Sequence, residues 1–236
     1  YVKDRLIVSL ISAERNVDFL KDKPYRMLED LAIFYKVLIS KDANGTGTIT
    51  VTNNHMEYWG LTEEQLYETA IKNSNVLEPP SIDRLTNVMA DLMRAQGMDE
   101  DIIENQLKEE DIDMYVISNT TKANGASVIV YSDALQQVAE NLGSDLYILP
   151  SSIHEVLALP VGNKDVDSLE EMVRCVNQTE VSPTEVLSDN VYKYDAESRT
   201  LSLASAKAET VKETAVCEPS GYTGTVNEVA RPRHHR

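Results

Sequence analysis

Apolar positions in this chain of 236 residues fall into short blocks, each with its own period. Over 1–20, Val2, Leu6, Leu10, Ala13 and Val17 recur at three- and four-residue intervals with Lys3, Asp4 and Arg15 off the stripe, which predicts an amphipathic helix ending before Pro24. β-Branched and aromatic runs come next. "LEDLAIFYKVLIS" (28–40) and "TGTITVT" (46–52) flank "KDANGTG", where Asn44-Gly45 suits the positive φ angles of a tight reversal, so a β-hairpin is expected. Helical spacing returns in "LTEEQLYETAIKN", with Thr62 as cap, Gln65 three residues on, and Leu66, Ala70 and Asn73 along one face.

Pro79-Pro80 closes that helix, and "SIDRLTNVMADLMRAQG" predicts another through Ile82, Leu85, Val88, Met89 and Leu92, stopped at Gly97. Its methionines read as core filler. Then "DMYVISN" (113–119), "ASVIV" (126–130), "SDALQQVAENLG" (132–143), "DLYIL" and "IHEVLAL" give the order strand, strand, helix, strand, strand. Short links favour antiparallel pairing with the helix over one face. Asp167 with Glu170, and Ser182 with Pro183 and Glu185, mark two further helix starts, and "VYKYD" with "RTLSLA" a last hairpin. The expected architecture is α+β: an antiparallel or mixed sheet with helices packed on one face. Residues 1–98 supply the helix, hairpin and helical part, 99–203 the sheet part of the same domain, and 204–236, which lose periodicity, a disordered tail.

Charge narrows the function classes. Lys plus Arg total 22 against 39 Asp plus Glu, and the formal net charge of −17 repels phosphate backbones, so no nucleic-acid binding is expected. No run approaches the roughly 18 apolar residues of a membrane span, so no membrane is expected either. "YVKDRLIVSL" has no initiator methionine and no signal-peptide block, and reads as a fragment entered within a longer protein. Cys175 and Cys217 are too few for a disulfide framework and are expected as free thiols. The N-x-[ST] triplets at Asn44, Asn119 and Asn177 match a short pattern common by chance and carry no weight.

Candidate chemistry centres on "ILPSSIHEV", residues 148–156. If "DLYIL" and "IHEVLAL" are neighbouring strands, Pro150-Ser151-Ser152 is a three-residue reversal between them. Alternation then sends Ile153, Glu155 and Leu157 one way and Ser152, His154 and Val156 the other, so His154 and Glu155 cannot share a metal. HExxH is absent, and no metal or cofactor is expected. Ser152 and His154 would share a face with Cα atoms about 6.6 Å apart. A hydrolase built on them also needs an oxyanion hole and an orienting carboxylate, and no G-x-S-x-G elbow exists. Ser151, Ser152, His154 and Glu155 can alternatively line a pocket at a sheet end, with Asp30, Asn119 or Tyr115 in support. Elsewhere, "NGTG" lacks the Gly-Lys-Ser/Thr of a phosphate loop. The acidic run 99–113 lacks the mid-loop glycine of a calcium site and reads as a solvated helix.

Taken together, "AERN...L...P" at 13–24, "DLAIFY" at 30–35, "W....E.LY..A..N" at 59–73, "YVISN....NGA" at 115–126, "LPSSIHE" at 149–155 and "LSDNVYKYD" at 187–195 resemble domain-of-unknown-function family 5688 of gut-dwelling clostridial bacteria. The likeness spans roughly residues 1–203. It implies a bacterial, cytosolic protein and carries no activity with it. Residues matching the pattern include Asn16, Asp30, Asn73, Asn119, Pro150, Ser151, Ser152, His154 and Glu155. Two functions are expected from these readings. The first is a non-catalytic interaction or regulatory protein that binds a protein partner or itself. The second is a small-molecule-binding or hydrolytic enzyme with its site at Pro150–Glu155.

Overall fold

The first apolar run is a strand. A computed structural model describes residues 2–42, 45–108, 113–162 and 164–205. It begins with β1 (Leu6–Ser12), one helical turn α1 (Val17–Leu20), β2 (Tyr25–Leu28), β3 (Leu31–Asp42) and β4 (Gly45–Thr50). The twelve-residue β3 is the centre of this first sheet, with β1 along one side from Leu6↔Val37 to Ser12↔Leu31, and β2 and β4 end to end along the other. The helix expected over 1–20 is therefore corrected. Leu6, Val8 and Leu10 enter the main core, while Ile7, Ser9 and Ile11 alternate onto the opposite face, also covered. A strand buried on both faces loses the period-two signature.

The β3–β4 hairpin forms as expected, with Gly45 at φ +138°; Asn44 lies outside the described residues. Thr52 caps α2 (Asn53–Trp59) with His55, and Thr62 and Gln65 form the predicted capping box of α3 (Glu63–Leu77). Leu66, Ala70 and Ser74 are the buried side of α3, and Ser74 Oγ accepts the Val8 amide at 2.9 Å. Arg26 of β2 clamps the start of α3 through Glu63 (2.8 Å) and Glu64 (2.6 Å) and lies over the Tyr67 ring.

The second sheet runs β10-β9-β7-β8-β6-β5, antiparallel throughout. Its first member in the chain, β5 (Pro80–Arg84), replaces the start of the helix expected there; the helix α4 begins only at Leu85 and ends at Ala95. Pro80 sits on an edge strand, where a missing amide hydrogen costs no ladder bond. The acidic stretch forms α5 (Glu100–Lys108), which buries Ile103; 109–112 lie outside the described residues. β6 (Tyr115–Asn119) matches the expected strand.

"ASVIV" does not. Asn124 takes φ +52° and starts a 3-10 turn (Gly125–Ser127) that runs into α6 (Val128–Tyr131), so local β-propensity yields to the packing of this turn. Next come α7 (Ala134–Leu142), β7 (Leu146–Pro150), β8 (Val156–Pro160) and α8 (Val166–Thr179), the last capped by Asp165. The helix expected at Ser182 is only a turn, closed by Glu185 N to Ser182 O. β9 (Tyr192–Asp195) and β10 (Thr200–Leu203) form the final hairpin.

The fold class is α+β. Side chains of both sheets, of α3 and of α6–α7 share one apolar cluster, while Leu169 and Val173 of α8 pack with Tyr147 and Leu149 on the other face of the second sheet. Of the tail expected over 204–236, Ala204 is held by its amide to Val191 O at 2.8 Å, and 206–236, with Cys217, lie outside the described residues.

Candidate functional site

β7 and β8 are antiparallel neighbours, with Pro150 opposite Val156, and residues 151–155 connect them. His154 and Glu155 thus lie in a five-residue connector and not on a strand, so the alternation expected for them does not apply. Backbone bonds fix the connector instead. Ser152 N donates to Glu155 O (3.2 Å), Ile153 N to Glu185 O (2.9 Å), and Ala126 N to Ile153 O (3.2 Å). Ser152 Oγ accepts the His154 amide at 3.0 Å, and Ser118 Oγ donates to His154 O at 2.7 Å.

The imidazole is engaged at both nitrogens. Nδ1 accepts the Asn124 amide (3.1 Å), which leaves the proton on Nε2, 3.4 Å from Glu185 Oε1. Ser152 Oγ is turned to a backbone amide and the His154 ring to Asn124 and Glu185, so in this geometry the ring acts as a strut. What it braces is the 119–124 turn. Asn119, buried at the end of β6, accepts from Thr121 N, Thr121 Oγ1 and Ala123 N and donates to Ala123 O at 2.9 Å. We expect His154→Ala to cost about 1–2 kcal/mol, one part-buried hydrogen bond plus lost packing. Hydrogen exchange would read this as selective loss of protection at the Asn124 amide; unchanged protection there would refute the strut.

Asp30 is engaged by other residues. In the turn between β2 and β3, its carboxylate accepts from Ser188 Oγ (2.6 Å), Asn190 Nδ2 (3.1 Å) and Tyr192 OH (2.5 Å). Those donors come from "LSDNVY", so Asp30 ties the first sheet to the entry of β9. Burial, then the adjoining Asp30 charge, push the Tyr192 hydroxyl well above the ordinary tyrosine range.

The turn braced by His154 forms one wall of a cavity of about 430 Å³, which the sequence reading missed. Ser9 of β1, Lys36 and Lys41 of β3, Glu78 just after α3, and Thr121 and Asn124 of the turn line it. Ser9 is 1% exposed, and its Oγ is the one buried side-chain polar atom without a hydrogen-bond partner among the described residues. Burial lowers the Lys36 ammonium below the ordinary lysine range, opposed by Glu78. The same burial raises the Glu78 carboxyl, opposed by Lys36 and Lys41, and Glu78 is only 6% exposed. Its backbone is pinned by Tyr131 OH, which donates to Glu78 O at 2.7 Å.

A sequence signal for this site did exist: Ser9 in "LIVSLIS" and Lys36 in "AIFYKVLIS" are polar residues flanked on both sides by buried apolar or aromatic ones. Among the described residues no cluster of three or more His, Cys, Asp or Glu side chains is arranged to hold a metal, and no helix is long and apolar enough to cross a membrane. Compared with known proteins, the chain matches over residues 1–196 the model of a family described as "Family of unknown function (DUF5688)". No curated protein and no solved structure matches it.

Proposed function

Taking as premise that the chain belongs to the DUF5688 family of unknown function, matched over residues 1–196, we propose that it binds a small polar molecule in the cavity between β1, β3, β4 and the 121–124 turn. One observation carries this reading. A buried hydroxyl without a partner costs about 1–3 kcal/mol, so native folds keep few of them, and this one belongs to a residue of the cavity wall, where a small displacement of the wall would let an occupant pair with it. The cavity falls within the roughly 300–1,000 Å³ of small-molecule sites. Its polar lining supplies donors and acceptors, and the 151–155 connector serves it indirectly by holding the turn. An interaction role would draw on the acidic surface in general; the cavity is the more specific feature.

Ser9→Ala is the direct test. Removing the orphan hydroxyl is expected to stabilise the unliganded protein by about 1 kcal/mol, a rise in melting temperature of about 2–4 °C for a chain of this size. The same change is expected to weaken binding of any small polar compound that protects the wild type in a thermal-shift panel. Ser9→Leu, which fills the cavity, should abolish that protection. Equal protection of wild type and Ser9→Leu would overturn the assignment, as would a Ser9→Ala protein no more stable than its parent.

A further inference from the structure

We propose that the cavity takes a small hydroxylated anion, a carboxylate or a phosphate ester, with its charged end at Lys36 and Lys41 and its hydroxyls on Thr46, Thr48, Thr121 and Asn124. The inference rests on the cavity reading above and adds the chemistry of the occupant. Among the described residues the charged lining is two lysines and one glutamate, a single positive charge when all are ionised. In a chain of formal charge −17, this is a cation-rich recess within an acidic surface, a field that turns away long polyanions but admits a small ion whose charge is met at short range. Lys36 is half-buried on β3 opposite Ile7, and its Nζ lies 5.2 Å from the Phe34 ring centroid. Among the described residues no carboxylate lies within ion-pair distance of it. Lys41 donates to Leu77 O at 2.8 Å and keeps two further hydrogens. An anion there would pair a half-buried ammonium that the fold itself leaves to a distant carboxylate.

Proton linkage gives this a sign. Among the described residues, the charged groups facing Lys36 in the cavity are Glu78 and Lys41. Lys36 titrates below the ordinary lysine range, and an anion favours its protonated form, so affinity falls as pH rises through its pKa. Glu78 titrates above the ordinary carboxyl range, and its ionisation at rising pH repels the ligand, so both groups push the same way. Binding tightens on acidification with net proton uptake.

Calorimetry on the full chain with gluconate, a glucose phosphate and neutral glucose tests the proposal. We expect at least one anion to bind and glucose to bind at least about tenfold more weakly, the worth of one charge-assisted contact. The anion that binds distinguishes carboxylate from phosphate. Lys36→Met should weaken that anion by about tenfold or more, and Glu78→Gln should strengthen it. Lys36→Gln provides the same readout if the methionine variant does not fold. Glucose binding as tightly as the anions, or a folded Lys36 variant with unchanged anion affinity, would overturn the anion assignment and leave the cavity reading standing. No probe binding, together with Ser9→Leu matching the wild type across the thermal-shift panel, would overturn both.

Discussion

Gly125→Ala will destabilise the protein by about 3 kcal/mol, the upper end of what overpacking usually costs, and lower the melting temperature by on the order of 10 °C. A β-carbon at this position would stand 2.6 Å from both the Asn119 amide nitrogen and the His154 carbonyl oxygen, with Ser118 Oγ closer still. A flexible side-chain tip can move aside. These two backbone atoms cannot do so cheaply: Asn119 ends a buried strand, and the His154 carbonyl is held by Ser118 while its ring holds Asn124. One methyl group must therefore part the turn from the connector and disturb the cavity wall made by Thr121 and Asn124. A thermal melt within about 2 °C of the wild type would show that the contact yields and that the argument is wrong.

Asp30→Ala is the other large effect, a loss of about 3–5 kcal/mol expected in denaturant unfolding. The carboxylate accepts three hydrogen bonds, two of them from Ser188 and Tyr192, which are 2% and 1% exposed and would be left behind in the interior. Magnitudes separate this cluster from the nearby Arg15–Asp189 pair, whose side chains are more than two-fifths exposed and whose removal should cost about 1 kcal/mol or less. The cluster also predicts an alkaline limit. The Tyr192 hydroxyl titrates higher in the fold than in the unfolded chain, so its contribution is whole below about pH 10 and is lost as pH climbs beyond that point. Replacing Tyr192 by Phe should remove this part of the alkaline unfolding; an unaltered profile would assign it to other groups.

Elements with a local signal were legible in the sequence. The α3 capping box, the β3–β4 hairpin, the β7–β8 pair and the β9–β10 hairpin each follow from residues adjacent in the chain. Where burial came from distant partners, the pattern misled. β1 is covered on both faces, so its apolar residues also satisfied a helical spacing, and Ile82 continued the stripe of α4 although it pairs with Ile117. Val128–Val130 carry β-branched side chains yet lie in a helix dictated by the close approach at Gly125. Of the candidate site residues, Ser152, His154 and Asn119 are brought together around one turn, while Asp30 joins residues some 160 positions further on. Glu78 had no legible signal, because it becomes a cavity residue only when β3 and the 121–124 turn close over it.

The Asp30 cluster joins groups 158 to 162 residues apart in the chain. On a ribosome adding about 5–20 residues per second, the acceptor waits on the order of ten seconds for its donors, long after β1 and β3 have emerged. Contacts of such sequence separation carry a large loop-closure cost and close after the local elements. A nascent chain that stops short of Ser188 holds the Asp30 carboxylate with none of these three donors in reach.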